Sequence, residues 1–179
     1  MGISTQMHAI AWWPVFIAVI IATITDLRSR RIPNLLVGPL LLAGVVVSTI
    51  VEGWHGLAQS LLGILLATVL LGVFFLLGGM GMGDVKLCAA IGAWIGPSQL
   101  GLALVMMGFA GGVIALAWAV CGGFLSESLD GVGDLLASFG KRGLRPHETL
   151  VLSNKKTRKL PYAPAIAIGV IFSFLAVTK

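Results

Sequence analysis

The sequence predicts an all-α, polytopic membrane protein of about six transmembrane helices with its N-terminus outside. Three observations carry that expectation. Hydrophobic residues make up 58% of the 179-residue chain and charged residues only 11%. The apolar residues fall into six long runs, and the basic residues gather in every second connection between them. A soluble domain carries roughly 25% charged residues, and a chain with a mean hydropathy of +1.02 has too little polar surface to face water all round. Lipid is therefore the expected solvent, around one membrane-embedded domain over residues 1–179.

The first run, Ala9–Thr25, has no basic residue before it and no small-residue cleavage site after it, so it reads as a retained span rather than a signal peptide. Pro33–Val51 and Leu57–Leu77 come close to the roughly 20 residues needed to cross about 30 Å of hydrocarbon. Val85–Gly96 is short by that measure. Its helix is expected to begin in the glycine-rich stretch before it or to span less than the full thickness. Ser98–Phe124 and Pro161–Val177 complete the set. Between them, residues 125–160 form a cytoplasmic or interfacial loop, in which Leu125, Leu129, Val132, Leu136 and Phe139 recur at helical spacing with Glu127, Asp130 and Asp134 on another face. That pattern predicts an amphipathic helix lying in the interface. The pairs Gly92/Gly96 and Gly108/Gly112 have the spacing of close helix contacts, chiefly within the protein itself.

Orientation follows from the basic residues. With the N-terminus outside, Arg28, Arg30, Arg31, Lys86, Lys141, Arg142, Arg145, Lys155, Lys156, Arg158 and Lys159 share one side, and of the 12 Lys and Arg only Lys179 falls on the other. The positive-inside rule makes the basic side cytoplasmic. Arg28, Arg30, Arg31, Lys155, Lys156, Arg158 and Lys159 are expected to meet anionic lipid head groups. Because these residues flank apolar runs, the net charge of +5 does not indicate nucleic acid as a partner. Cys88 and Cys121 stand alone, without CxxC spacing. No metal, cofactor or disulfide framework is expected, and both cysteines read as small buried residues.

Two acids lie where spans meet the cytoplasmic interface. Asp26 closes the first span in Asp26-Leu27-Arg28-Ser29-Arg30-Arg31-Ile32-Pro33-Asn34, and Asp84 opens the fourth in Gly81-Met82-Gly83-Asp84-Val85-Lys86-Leu87. A carboxylate held against lipid is costly, which makes it a functional candidate. Gly78, Gly79, Gly81 and Gly83 let the backbone turn and approach neighbours closely, which implies a cavity beside Asp84. The structural alternatives carry comparable weight on spacing alone. Asp84 suits capping of its own helix, and Asp26 can pair with Arg28 or Arg30. Lys86 can reach up to head groups or tune the carboxylates.

Asp-x-Arg-x-x-x-Ile-Pro-Asn at Asp26–Asn34, followed by Gly-x-Gly-Asp-x-Lys-Leu at Gly81–Leu87, resembles the type IV prepilin peptidases, a family of GxGD intramembrane aspartic proteases. Pro161-Tyr162-Ala163-Pro164 resembles the proline motif that opens the family's last helix. The resemblance implies that Asp26 and Asp84 are the catalytic pair, supported by Gly81, Gly83, Lys86, Pro33 and Asn34. It also implies a multi-pass protein of the bacterial inner membrane. Its substrates would be prepilins or pseudopilins, whose short basic leader is removed at the cytoplasmic leader–helix junction. No metal is required for that chemistry. The longer members carry an extra N-terminal region, often with a cysteine tetrad, and a methyltransferase activity. Having neither that region nor those cysteines, this sequence resembles the short peptidase-only branch of tight-adherence or Flp pili, and no methyltransferase is expected. Two other classes are consistent with the composition: a small proton-coupled transporter, and a non-enzymatic scaffold of pilus assembly. A transporter usually places its acids near the midplane and often repeats internally. A scaffold needs no GxGD cavity.

Overall fold

The computed structural model describes residues 3–76, 79–121 and 162–177. The predicted amphipathic segment 125–160, with its acids and with Lys155, Lys156, Arg158 and Lys159, and Pro161 of the proline motif lie outside the described residues. The described chain is all α: α1 (Ile3–Ser29), α2 (Asn34–Leu76), α3 (Met82–Cys121) and α4 (Ala163–Val177). Two glycines bend the long helices. Gly53 (φ 61°, ψ −138°) divides α2, and Gly96 (φ 73°, ψ 175°), followed by Pro97, divides α3. Six helical segments result, in the positions of the six apolar runs. Among the described residues, three helices are long and apolar enough to cross a membrane, over Trp12–Ser29, Asn34–Leu76 and Met82–Ala117. Side chains such as Leu35, Ile50 and Trp54 are largely exposed, as expected where lipid is the solvent.

The short fourth run explains itself once placed. Its helix begins at Met82, inside the glycine-rich stretch, and ends at the Gly96 bend, a rise of roughly 20 Å at about 1.5 Å per residue. That is less than a bilayer core, yet the segment is the centre of the protein. Leu87, Cys88, Ala89, Ala90, Ile91 and Ala93 are all buried, because both α2 and α4 pack against α3. A helix apolar all round belongs in such a position.

Small residues bring these helices together. A Cβ added at Gly92 would lie 2.7 Å from the Gly63 carbonyl oxygen, and one at Gly44 would lie 2.8 Å from the Trp94 ring. The Trp94 indole N–H donates to the Leu40 carbonyl at 2.8 Å and the Ser48 hydroxyl to the Ala93 carbonyl at 3.1 Å, so these two half-buried polar groups are satisfied between α2 and α3. The Trp12 and Phe16 rings meet Phe174 edge-on at centroid distances of 5.3 and 5.2 Å and hold α1 against α4. Three expectations need correction. Gly96 serves as the bend rather than as a contact, Gly108 and Gly112 have nothing within 4 Å of an added Cβ, and Cys121 is exposed while Cys88 is buried. Spacing alone does not show which face of a helix meets a neighbour.

The Gly96 backbone occupies a region that essentially only glycine adopts. Gly96→Ala should cost about 1–3 kcal/mol, although the nearest atom to an added Cβ, Gln59 Oε1, is 3.5 Å away. A lowered unfolding midpoint in detergent is expected. An unchanged midpoint would show that the bend does not require this geometry.

Candidate active site

Asp26 lies in the last turn of α1. The helix stops there because Arg30 adopts a left-handed conformation (φ 51°) and donates its N–H to the Asp26 carbonyl at 2.8 Å, an αL cap formed without glycine. The chain then turns through Ile32, and the Pro33 carbonyl accepts from Leu36 and Val37 to start α2. Asp26 is only 7% exposed. Its Oδ2 accepts a hydrogen bond of 3.2 Å from the Ala163 N–H, the first residue of α4. Arg28 and Arg30 are exposed, and among the described residues Asp26 forms no ion pair. The interfacial pairing considered from the sequence is thus replaced by a buried contact with the start of another helix. The N-terminal end of α4 carries partial positive charge, which favours a carboxylate.

Asp84 is the third residue of α3 and only 8% exposed. Its carboxylate accepts from the Gly81 N–H, while its own N–H donates to the Gly81 carbonyl at 3.2 Å. This is the N3 half of a capping box: Asp84 satisfies a backbone N–H at the helix start, but from the third helical position rather than from the N-cap position expected for it. The two flanking glycines have separate reasons. A Cβ at Gly81 would stand 3.1 Å from Asp84 Oδ2, and one at Gly83 would stand 3.3 Å from the Ile32 Cβ. Gly83 therefore lets the two motifs touch. Lys86 settles on neither role considered from the sequence. Its ammonium donates to Asn34 Oδ1 at 3.3 Å, which joins the start of α3 to the start of α2.

The structure places the two carboxyls at the same end of the bundle, near enough for the Asp26 charge to act on Asp84. Sequence reasoning missed two neighbours. Tyr162, half-buried just before α4, is near enough to feel the Asp84 charge. Cys88, one turn beyond Asp84, is buried and also interacts with it. The i, i+4 spacing from Asp84 was the available signal for Cys88, and the proline motif was the signal for Tyr162. A void in the core lies farther along α3, between Cys88, Ile91, Leu104, Met107 and Ile166. Its lining is apolar, so it is not the water-filled cavity expected beside Asp84. Among the described residues no group of three His, Cys, Asp or Glu could hold a metal ion. Two buried carboxyls in electrostatic contact can share one proton, which equips them to give one and take one.

Residues 13–116, which contain both motifs, match the type IV leader peptidase family. The chain belongs to that family. A similar protein, the prepilin leader peptidase/N-methyltransferase of Bacillus subtilis (strain 168), is 30% identical over 178 residues, covering 97% of this chain and 58% of the relative. The chain therefore spans less than two thirds of that relative's length. No solved structure matches. In this type IV leader peptidase family member, Tyr162 and Ala163 lie beyond the matched residues, yet they complete the surroundings of Asp84 and Asp26.

Proposed function

We propose that the chain is a membrane-embedded aspartic endopeptidase that removes the short leader from type IV, Flp-like prepilins at the leader–helix junction. The observation that carries this reading is the burial of Asp26 and Asp84 at one end of the bundle, where the charge of Asp26 acts on Asp84 and each accepts a backbone N–H, within a segment that matches the leader peptidase family. In the proposed reaction one carboxylate takes a proton from water as its oxygen attacks the scissile carbonyl. The other carboxyl, protonated, donates a hydrogen bond to that carbonyl oxygen. The tetrahedral intermediate then collapses. The C–N bond breaks as the leaving nitrogen receives a proton from the pair, which returns to its starting state. Gly81, Gly83, Pro33, Asn34 and Lys86 support the site by holding the two motifs in register. The reading covers peptide hydrolysis alone, and no methyl transfer is expected.

The proposed setting is a bacterial inner membrane, with six crossings and the dyad at the cytoplasmic face. Arg28, Arg30 and Arg31 are exposed at the dyad end of the bundle, where they can meet anionic head groups. Tags at the N-terminus and at Lys179 should then be accessible only from the periplasm, and tags within residues 144–153 only from the cytoplasm. A cytoplasmic C-terminus would leave an odd number of crossings and contradict the topology. Function is tested by co-expression with a prepilin. Loss of the leader, with no proton flux in vesicles holding the protein, is expected. Flux without leader removal would favour the transporter reading.

A further inference from the structure

The two acids sit on helices that scarcely meet. α3 packs chiefly on α2 and α4, while α1 touches it in few places, so the separation of Asp26 from Asp84 has to be set near the dyad itself. Ile32 is placed to set it. From Leu27 to Leu35 every residue is exposed except Ile32, which is half-buried and packs against the core. Its destination is Gly83. The three atoms nearest to a Cβ added at Gly83 are Cβ, Cγ1 and Cδ1 of Ile32, at 3.3, 3.7 and 3.8 Å, so one side chain covers that backbone position. Gly83 lies in α3 and, unlike Gly53 and Gly96, does not have a positive φ. Conformation therefore does not call for glycine there, and the close approach of Ile32 does.

We propose that Ile32 is a positioning residue: its side chain, seated on the Gly83 backbone, fixes how closely the turn after Asp26 approaches Asp84. This rests on the peptidase reading only in the choice of reaction, since the contact exists without substrate. Both ends of the bridge are short and held. Asp84 follows Gly83 directly, and between Asp26 and Ile32 the chain is fixed by the Arg30 N–H on the Asp26 carbonyl at 2.8 Å. Ile32 is β-branched, so its Cγ1 has little freedom to swing away. The hydrogen bond from Lys86 to Asn34 joins the same two segments, but both residues are exposed and the bond is 3.3 Å long, which leaves it open to exchange with water. The apolar contact carries the spacing.

Ile32→Ala removes Cγ1 and Cδ1 and opens a gap beside Asp84. In proteoliposomes with a prepilin, kcat per folded protein should fall by about tenfold with KM unchanged, since a misplacement of about 1 Å can cost on the order of 10²-fold. Ile32→Val keeps the branch and loses one carbon. Its kcat should lie between the two, and it replaces Ile32→Ala if that variant does not fold. Gly83→Ala should also lower kcat, and adding Ile32→Ala to it should recover part of the loss, because the turn can then give way to the new methyl. Losses that add, or a wild-type kcat in both Ile32 variants, would overturn the proposal. Infrared spectra of the carboxyl bands need no substrate: the band that disappears in Asp26→Asn should be displaced in the Ile32 variants. A displaced band supports the positioning role even if the wild type cuts no prepilin, in which case the peptidase reading alone fails. An unchanged band overturns the positioning role.

Discussion

Asp26→Asn and Asp84→Asn should each reduce leader cleavage by on the order of a thousandfold or more, while the protein still inserts and folds. Proton transfer by a positioned group contributes roughly 10²–10⁴-fold, and residues that act as a unit fail together when either is lost. Asparagine is the informative replacement because its side-chain oxygen can still accept the Ala163 N–H at position 26 and the Gly81 N–H at position 84. The caps are thereby kept and only the exchangeable proton is lost. Alanine would confuse the two effects, since an unsatisfied buried N–H costs about 1–3 kcal/mol. Asp130→Asn and Asp134→Asn should process normally. Cleavage assays in reconstituted membranes, with helix content checked by circular dichroism, separate lost chemistry from lost structure. Normal cleavage by either dyad variant would exclude the pair.

Gly92→Ala should be strongly destabilising, by about 3 kcal/mol. The new methyl would stand 2.7 Å from the Gly63 carbonyl oxygen and 2.8 Å from Leu100 Cδ2. The leucine can swing aside, but the carbonyl belongs to the facing helix backbone, so the helices must part. Because the segment that carries Gly92 also carries Asp84, cleavage should fall with stability. Gly108→Ala, with open space around it, should change stability by less than about 0.5 kcal/mol. Unfolding midpoints of the two variants in one detergent test the contrast. Equal midpoints would mean that the Gly63–Gly92 crossing does not hold the bundle together.

The helical segments were legible because apolar length and interruption are written directly in the chain: Gly53 falls between two of the apolar runs, and Gly96 is the last residue of another. The two acids were legible because a charge beside lipid needs a reason. What held each acid was not. The partner of Asp26 is a backbone N–H 137 residues away, and a backbone donor leaves no mark on residue identity. Lys86 and Asn34 could be marked as belonging to the site, but their hydrogen bond depends on how α2 and α3 pack. Gly108 and Gly112 show the reverse case, a spacing that suggests contact on a face that has none. Periodicity reports which residues share a face and leaves open what that face meets.

The central claim, that Asp26 and Asp84 hydrolyse a prepilin without a metal, is tested most directly by intact-mass analysis. Purified protein in proteoliposomes would be incubated with a prepilin in the presence of a strong chelator. Two fragments, cut at the leader–helix junction and together heavier than the prepilin by one water, are the predicted result. An uncut prepilin, or cleavage that disappears with the chelator, would contradict it.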